Sequence, residues 1–216
     1  MTTSKKASTE LSAVEQRIKD RLANVENSTQ QSTGNNISVK GSTFRLPSGA
    51  TSQGPLNCIV LDYVNKNMHY PDTYVEGEFS EPTCYAIGRN IKDMVPSEAI
   101  TAPINSHCHD CELNQFGSKG RGKACSNNVL LAVLPDDFTE DSEVLTIKVA
   151  AKGLKGWANY VRELKALNVD PAQVVTSLSF APGLAYPCLT FKHIGGNERL
   201  DEVGPFLVKA DLLLSA

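Results

Sequence analysis

Four cysteines constrain what this chain can fold into: Cys84, Cys108, Cys111 and Cys125, the middle two separated by only two residues. A Cys-x2-Cys spacing brings two thiolates to one ion from a single tight turn, and Zn²⁺ favours four thiolate or imidazole ligands in a tetrahedron. The pattern therefore predicts a zinc site with Cys84, Cys108, Cys111 and Cys125 as ligands. His107 and His109, which flank Cys108, are the alternatives to one of the cysteines. A closed four-ligand set leaves no position for substrate, so the expected Zn²⁺ is structural. A redox pair at Cys108 and Cys111 and a set of unbound buried thiols are the competing readings. Cys58, inside the run Cys58-Ile59-Val60-Leu61, and Cys188, beside Leu189, read as core.

A chain of 216 residues is long enough to bury one substantial core, and its net charge of −3 supplies no global positive field. Any site for a polyanion must therefore be local. Neither a signal peptide nor an apolar run long enough to cross a bilayer is legible, which predicts a soluble protein of a reducing compartment with no membrane partner. There, six cysteines are expected as ligands or small core residues rather than disulfides.

Leu11, Val14, Ile18, Leu22 and Val25 recur three and four residues apart, predicting an amphipathic helix over residues 9–26, with Ser12 and Glu15 as a capping box. The Ser/Thr/Gln/Asn-rich residues 27–36 read as a flexible linker. Residues 1–36 are thus expected as an N-terminal appendage and 37–216 as the folded domain. The appendage is expected to dock on its own domain, or to serve self-association or partner binding.

Strand signals dominate the remainder: residues 37–46, 56–64, 128–134, 144–150, 174–180 and 189–193 are apolar, β-branched or alternating. One helix interrupts them, with Leu154, Trp157, Tyr160, Val161 and Leu164 forming an apolar face over 154–167. Residues 205–214 carry both helical and extended readings. Short strands around one internal helix predict a mainly β (α+β) fold, an OB-like barrel with a zinc-binding insertion at about 84–125.

Within that insertion, residues 114–128 contain Lys119, Arg121 and Lys123 among glycines, with no acidic residue. Glycines let backbone N–H groups approach an anion, and alternating cations neutralise phosphate charge; a merely solvated basic loop is the bland alternative. Unpaired bases also need aromatic faces. Phe116 lies in the loop, and Tyr70, Tyr74 and Tyr85 precede it in polar or ligand-adjacent contexts, whereas Tyr63, Phe44, Phe180 and Trp157 read as packing residues. Lys66, Arg89, Lys148, Lys152 and Lys155 are further basic candidates.

The order Phe44-x-Leu46-Pro47-x-Gly49, Gly54-Pro55-Leu56, Pro82-x-Cys84-Tyr85-Ala86-Ile87-Gly88, Cys108-x2-Cys111, Asn114-Gln115-Phe116-Gly117-Ser118 and Gly122-Lys123-Ala124-Cys125 resembles a family of tailed-phage replication-module proteins. Trp157-x2-Tyr160 and Tyr186-Pro187-x-Leu189-Thr190-Phe191-Lys192 continue the likeness. The resemblance implies a zinc-containing, OB-type single-stranded DNA-binding protein of phage DNA replication or recombination, working in the cytoplasm of a bacterial host. Bacterial-type single-strand binders usually end in an acidic tail, whereas this chain ends Lys209-Ala-Asp-Leu-Leu-Leu-Ser-Ala. Replication proteins, if recruited, are therefore expected at the N-terminal helix.

Enzymatic patterns fare worse. His107-Cys108-His109-Asp110-Cys111 lacks the glutamate and proline of zinc deaminases, and neither a His-Glu-x2-His helix nor a Gly-x-Ser-x-Gly elbow occurs. A non-enzymatic binder is expected; the alternatives are a zinc-stabilised adaptor of replication or transcription proteins and a metal-dependent nuclease using some of His69, His107, His109 and His193.

Overall fold

A computed structural model describes residues 34–71 and 80–215. The helix expected at 9–26, most of the linker and Tyr74 lie outside the described residues. The chain divides into two units, Met1–Asn35 and Asn36–Ala216, and the second carries the sheet, its helices and all six cysteines.

Among the described residues nine strands form one sheet: β1 (Asn36–Lys40), β2 (Thr43–Arg45), β3 (Thr51–Ser52), β4 (Leu56–His69), β5 (Cys84–Gly88), β6 (Ser126–Pro135), β7 (Leu145–Val149), β8 (Val174–Phe180) and β9 (Leu189–Gly196). Among the described residues two α-helices accompany it, α1 (Leu154–Ala166) and α2 (Gly204–Leu214). The strand order is β3-β2-β1-β7-β6-β4-β8-β9, with β5 pairing β4 as a branch. The run expected as one strand at 37–46 is a hairpin, because Gly41 and Ser42 both take positive φ (57° and 54°), as a two-residue type I′ turn requires.

The sheet is strongly curled into a half-barrel. Five strand spacings separate β2 from β8, about 24 Å in a flat sheet. Yet the Phe44 and Phe180 rings, on those two strands, stack with centroids 4.4 Å apart. The concave side is filled by α1, whose Trp157, Tyr160 and Leu164 pack with Val60, Leu131, Ile147, Val149 and Leu178. Tyr63 meets Trp157 edge-on at 5.1 Å, and the buried Tyr160 hydroxyl is paired with Thr176 Oγ1 at 2.6 Å.

The convex side carries α2. Phe206, Ala210 and Leu214 cover Ile59, Leu61, Val64, Ala132 and Leu134. Residues 205–214, ambiguous in the sequence, are therefore helical. β4 serves both sides because successive side chains alternate, and a bulge between Val60 and Asp62 turns Leu61 and Val64 to the same convex layer. Arg89, just after β5, donates to both Asp62 carboxylate oxygens (2.5 and 2.6 Å) and to Asp211 of α2 at 2.8 Å. Cys58 is buried as expected. Cys188 is not: it is half-buried at the start of β9, its thiol 3.6 Å from the Lys152 carbonyl. Among the described residues no helix is long and apolar enough to cross a membrane.

Candidate metal centre and nucleic-acid interface

The concave face of β4 changes chemistry along its length. Val60 and Tyr63 belong to the apolar core, and Asn67 and His69 follow at the same side-chain period toward the strand's end. The neighbours change with it. Asn67 lies opposite Ala86 of β5 and Asn127 of β6, and His69 lies opposite Cys84. One residue past the Met68–Ser126 pair, Cys125 arrives on the other flank of His69. Strand register thus brings Cys84 and Cys125, distant in sequence, to one end of one sheet face.

Cys108 and Cys111 come over that end from the long connection between β5 and β6. Cys108 is anchored by its own N–H to the Met94 carbonyl (2.9 Å), and a short 3₁₀ turn, Glu112–Asn114, follows Cys111. The Cys125 N–H donates to the Leu113 carbonyl at 2.8 Å, so the returning chain is fixed as well. Cys84, Cys108, Cys111 and Cys125 all line one cavity of about 20 Å³, with Asn67, His69, His107 and Asn114 also in its wall. That volume holds roughly one water-sized guest.

The donor set suits a single thiophilic ion. Burial first, and then the neighbouring Cys108, Cys111 and Cys84, push the Cys125 thiol up to about 11, with Lys123 opposing. Burial also raises Cys108, a hydrogen bond from Asn67 lowers it, and Cys84 and Cys111 raise it again. Crowded thiols that resist joint ionisation are a poor arrangement by themselves and a good one around a dication, which inverts the local electrostatics. Among the described residues no three His, Cys, Asp or Glu side chains already stand at the spacing a bound ion imposes; what the fold supplies is the shared cavity. His107 lines that cavity, whereas His109 turns out to Asp110 (Nδ1 to Oδ1, 3.0 Å). His69 was not among the expected ligands; only its register opposite Cys84 places it there.

The basic loop is a tight hairpin. Lys119 and Gly122 bridge each other, the Gly122 N–H donates to the Lys119 carbonyl (3.0 Å), and Gly120 takes φ 58° at the first central position, as in a type II′ turn. Lys119 and Arg121 are exposed near the tip, and Phe116 is 81% exposed at the base. Lys123 returns over that ring, its Nζ 5.1 Å from the centroid and 3.3 Å from Asn114 Oδ1. The Ser118 hydroxyl donates to the Leu113 and Gln115 carbonyls and accepts from the Ala124 N–H, cross-linking the hairpin's two limbs.

The other expected contacts distribute unevenly. Tyr70, 37% exposed, follows His69 at the cysteine end of β4. Tyr85 is half-buried, and its hydroxyl accepts from Ser97. Lys66 is half-buried, in register with Ile87 and Asn128. Arg89 is engaged by Asp62 and Asp211, whose hydrogen bonds raise its pKa. Lys152 and Lys155 are exposed at the start of α1, where Lys152 Nζ stands 5.7 Å from the ring centre of Tyr186. Tyr186 is a second exposed aromatic under a cation that sequence reasoning did not single out. Beside it lies a groove of about 370 Å³, lined by β1, Lys148, Ala150, Gly153, Pro187 and Leu189.

Comparisons with protein-family models, with curated proteins and with solved structures find no match to this chain. Function is therefore read from its own residues.

Proposed function

We propose that this chain is a non-enzymatic, zinc-containing protein that binds single-stranded DNA with little sequence preference. The observation that carries the reading is the hairpin: an exposed Phe116 ring beside Lys119, Arg121 and Lys123, on a loop that leaves and re-enters the cysteine cavity at Cys111 and Cys125. A base stacked on such a ring contributes on the order of 1–3 kcal/mol without regard to its identity, and cations at the hairpin tip meet successive phosphates. Tyr70 at the same end of β4 offers a second stacking face; Lys152 with Tyr186, and Lys155, offer a further one.

In this reading Cys84, Cys108, Cys111 and Cys125 hold Zn²⁺, which when bound neutralises the crowded thiolates and fixes the loop. Arg89 belongs to the fold, since its donors already face Asp62 and Asp211. The curled sheet with α1 on its concave side is compatible with an OB-like assignment. The likeness of the chain's motifs to phage replication-module proteins supports a role in phage DNA replication or recombination, in the host cytoplasm.

A protein–protein adaptor is the second reading, favoured by Val208 and Leu212, which are exposed on α2. Fluorescence anisotropy with labelled oligo(dT) across a salt series separates the two. Replacing Lys119, Arg121 and Lys123 together by alanine is expected to lower affinity and to reduce the salt slope by about 2, since each phosphate neutralised on a single strand contributes about 0.7. Unchanged binding in the triple variant removes the hairpin from the site. An adaptor does not bind the oligonucleotide, and a nuclease shortens it when divalent metal is added.

A further inference from the structure

The cysteine cavity and the hairpin share more than a backbone. Asn67 and Asn114 are nearly buried (4% and 7% exposed), and with Asn127 they form a continuous amide chain. Its polarity is set from its ends. An ammonium only donates, so Asn114 presents Oδ1 to Lys123 Nζ at 3.3 Å, and a carbonyl only accepts, so its Nδ2 donates to the Cys108 oxygen at 2.8 Å. The same Oδ1 accepts from Asn127 Nδ2 at 2.9 Å, and that amide also donates to Asn67 Oδ1 at 2.6 Å. Asn67 is left with its own N–H groups, at the wall of the cavity that Cys84, Cys108, Cys111 and Cys125 line. Every amide in the chain has one consistent orientation, and the run ends with the amide donors of Asn67 at the cysteine cavity.

We propose that Asn67, Asn127 and Asn114 are a polar relay that couples occupation of the cysteine cavity by metal to the position of Lys123, so that metal loading tunes the affinity of the hairpin for a nucleic-acid strand. The proposal deepens the single-strand reading and rests on it for the strand, though not for the coupling. A thiolate bound to metal draws the Asn67 N–H toward it, which fixes the Asn67 oxygen for Asn127 and, through Asn127, the Asn114 oxygen that holds Lys123. Groups around metal ligands that orient them in this way typically change metal affinity about 10–100-fold when removed. Asn67, Asn114 and Asn127 are positioning residues here; none is assigned to the metal or to the strand.

Linkage makes the coupling reciprocal, so it is measurable without DNA. Co²⁺ competes with a chelator in the wild type, Asn67→Ala, Lys123→Ala and the double variant, and the thiolate-to-cobalt absorption band is followed. Asn67→Ala is expected to shift the band and weaken Co²⁺ retention about tenfold, and Lys123→Ala to weaken it a few-fold. In the double variant Lys123→Ala adds nothing, because the relay is already cut. Losses that multiply, or a Lys123→Ala variant with wild-type retention, overturn the relay, as does a wild type that takes up no Co²⁺. Asn127→Ser replaces Asn67→Ala in the cycle should the latter not fold, the amide proton pattern being the check. With metal saturating, Asn114→Ala is expected to lower oligo(dT) affinity as much as Lys123→Ala does. A non-additive Co²⁺ cycle in a protein that ignores oligo(dT) upholds the coupling and dismisses the single-strand reading.

Discussion

The sheet with its two helices and the cysteine lobe between β5 and β6 are held together by different means. The concave layer buries aliphatic and aromatic side chains from β1, β2, β4, β6 to β9 and α1, and the convex layer buries a second set under α2. The lobe's own buried apolar cluster is Ala86, Met94 and Cys108. So small a core cannot offset the chain entropy of ordering the residues around it, and lobes of this kind depend on a metal or a hydrogen-bonded network. Here the network is visible in Asn67, Asn114, Asn127, Gln115 and Ser118, and the four thiols line one cavity. The lesson is a division of labour: an apolar scaffold that folds on burial, and a hairpin lobe that, in the function proposed, binds the strand and depends on ligation for its order.

The largest effect expected tests the scaffold. Trp157→Ala removes the ring that Tyr63, Tyr160 and Phe191 surround, and should lower stability by about 3–5 kcal/mol. Denaturant unfolding followed by circular dichroism should show sheet and lobe lost together; a lobe that outlasts the sheet would break the hierarchy. Next in size is Cys108→Ser, which should release metal and abolish hydrogen-exchange protection within residues 90–125, leaving β6–β8 amides protected. Global unfolding of this variant would mean that the scaffold also leans on the metal.

Much of this division was legible in the sequence. The four cysteines stand out because thiols at that spacing have few other uses, and α1 because Trp157, Tyr160 and Leu164 keep a helical period. β4 was legible only as far as Val64, since Asn65, Lys66 and Asn67 break the apolar pattern where the strand leaves the core and becomes the cavity's floor. Nothing local marks Asn67, Asn127 and His69 as neighbours of thiols; the pairing of β4 with β5 and β6 does that. The C-terminal segment was ambiguous because Leu207, Val208 and Leu212 stay exposed beside the buried Phe206 and Ala210, blurring its period.

A smaller effect sharpens the comparison through pH. The Cys125 thiol, raised from 9.0 to about 11, retains its proton in the metal-free fold where the unfolded chain would lose it. Its contribution to stability is therefore full below about pH 9 and is lost as pH rises through about 11. Burial shifts Cys58, Tyr63 and Tyr160 in the same direction, but in the scaffold, with or without metal. Metal-bound thiolates carry no proton, so the loaded protein should lose less stability than the stripped protein between about pH 8 and about pH 10.5, and should release its metal on acidification. Urea midpoints of both forms check this; equal alkaline losses would place the whole effect in the scaffold.

The most direct test of the account strips the metal with a chelator and measures labelled oligo(dT) binding at low salt, with circular dichroism following the sheet. The expected result is an intact sheet, a lost or sharply weakened interaction with the strand, and recovery of both affinity and salt dependence when Zn²⁺ is restored. Binding of equal strength and salt slope in the stripped and loaded forms would contradict it.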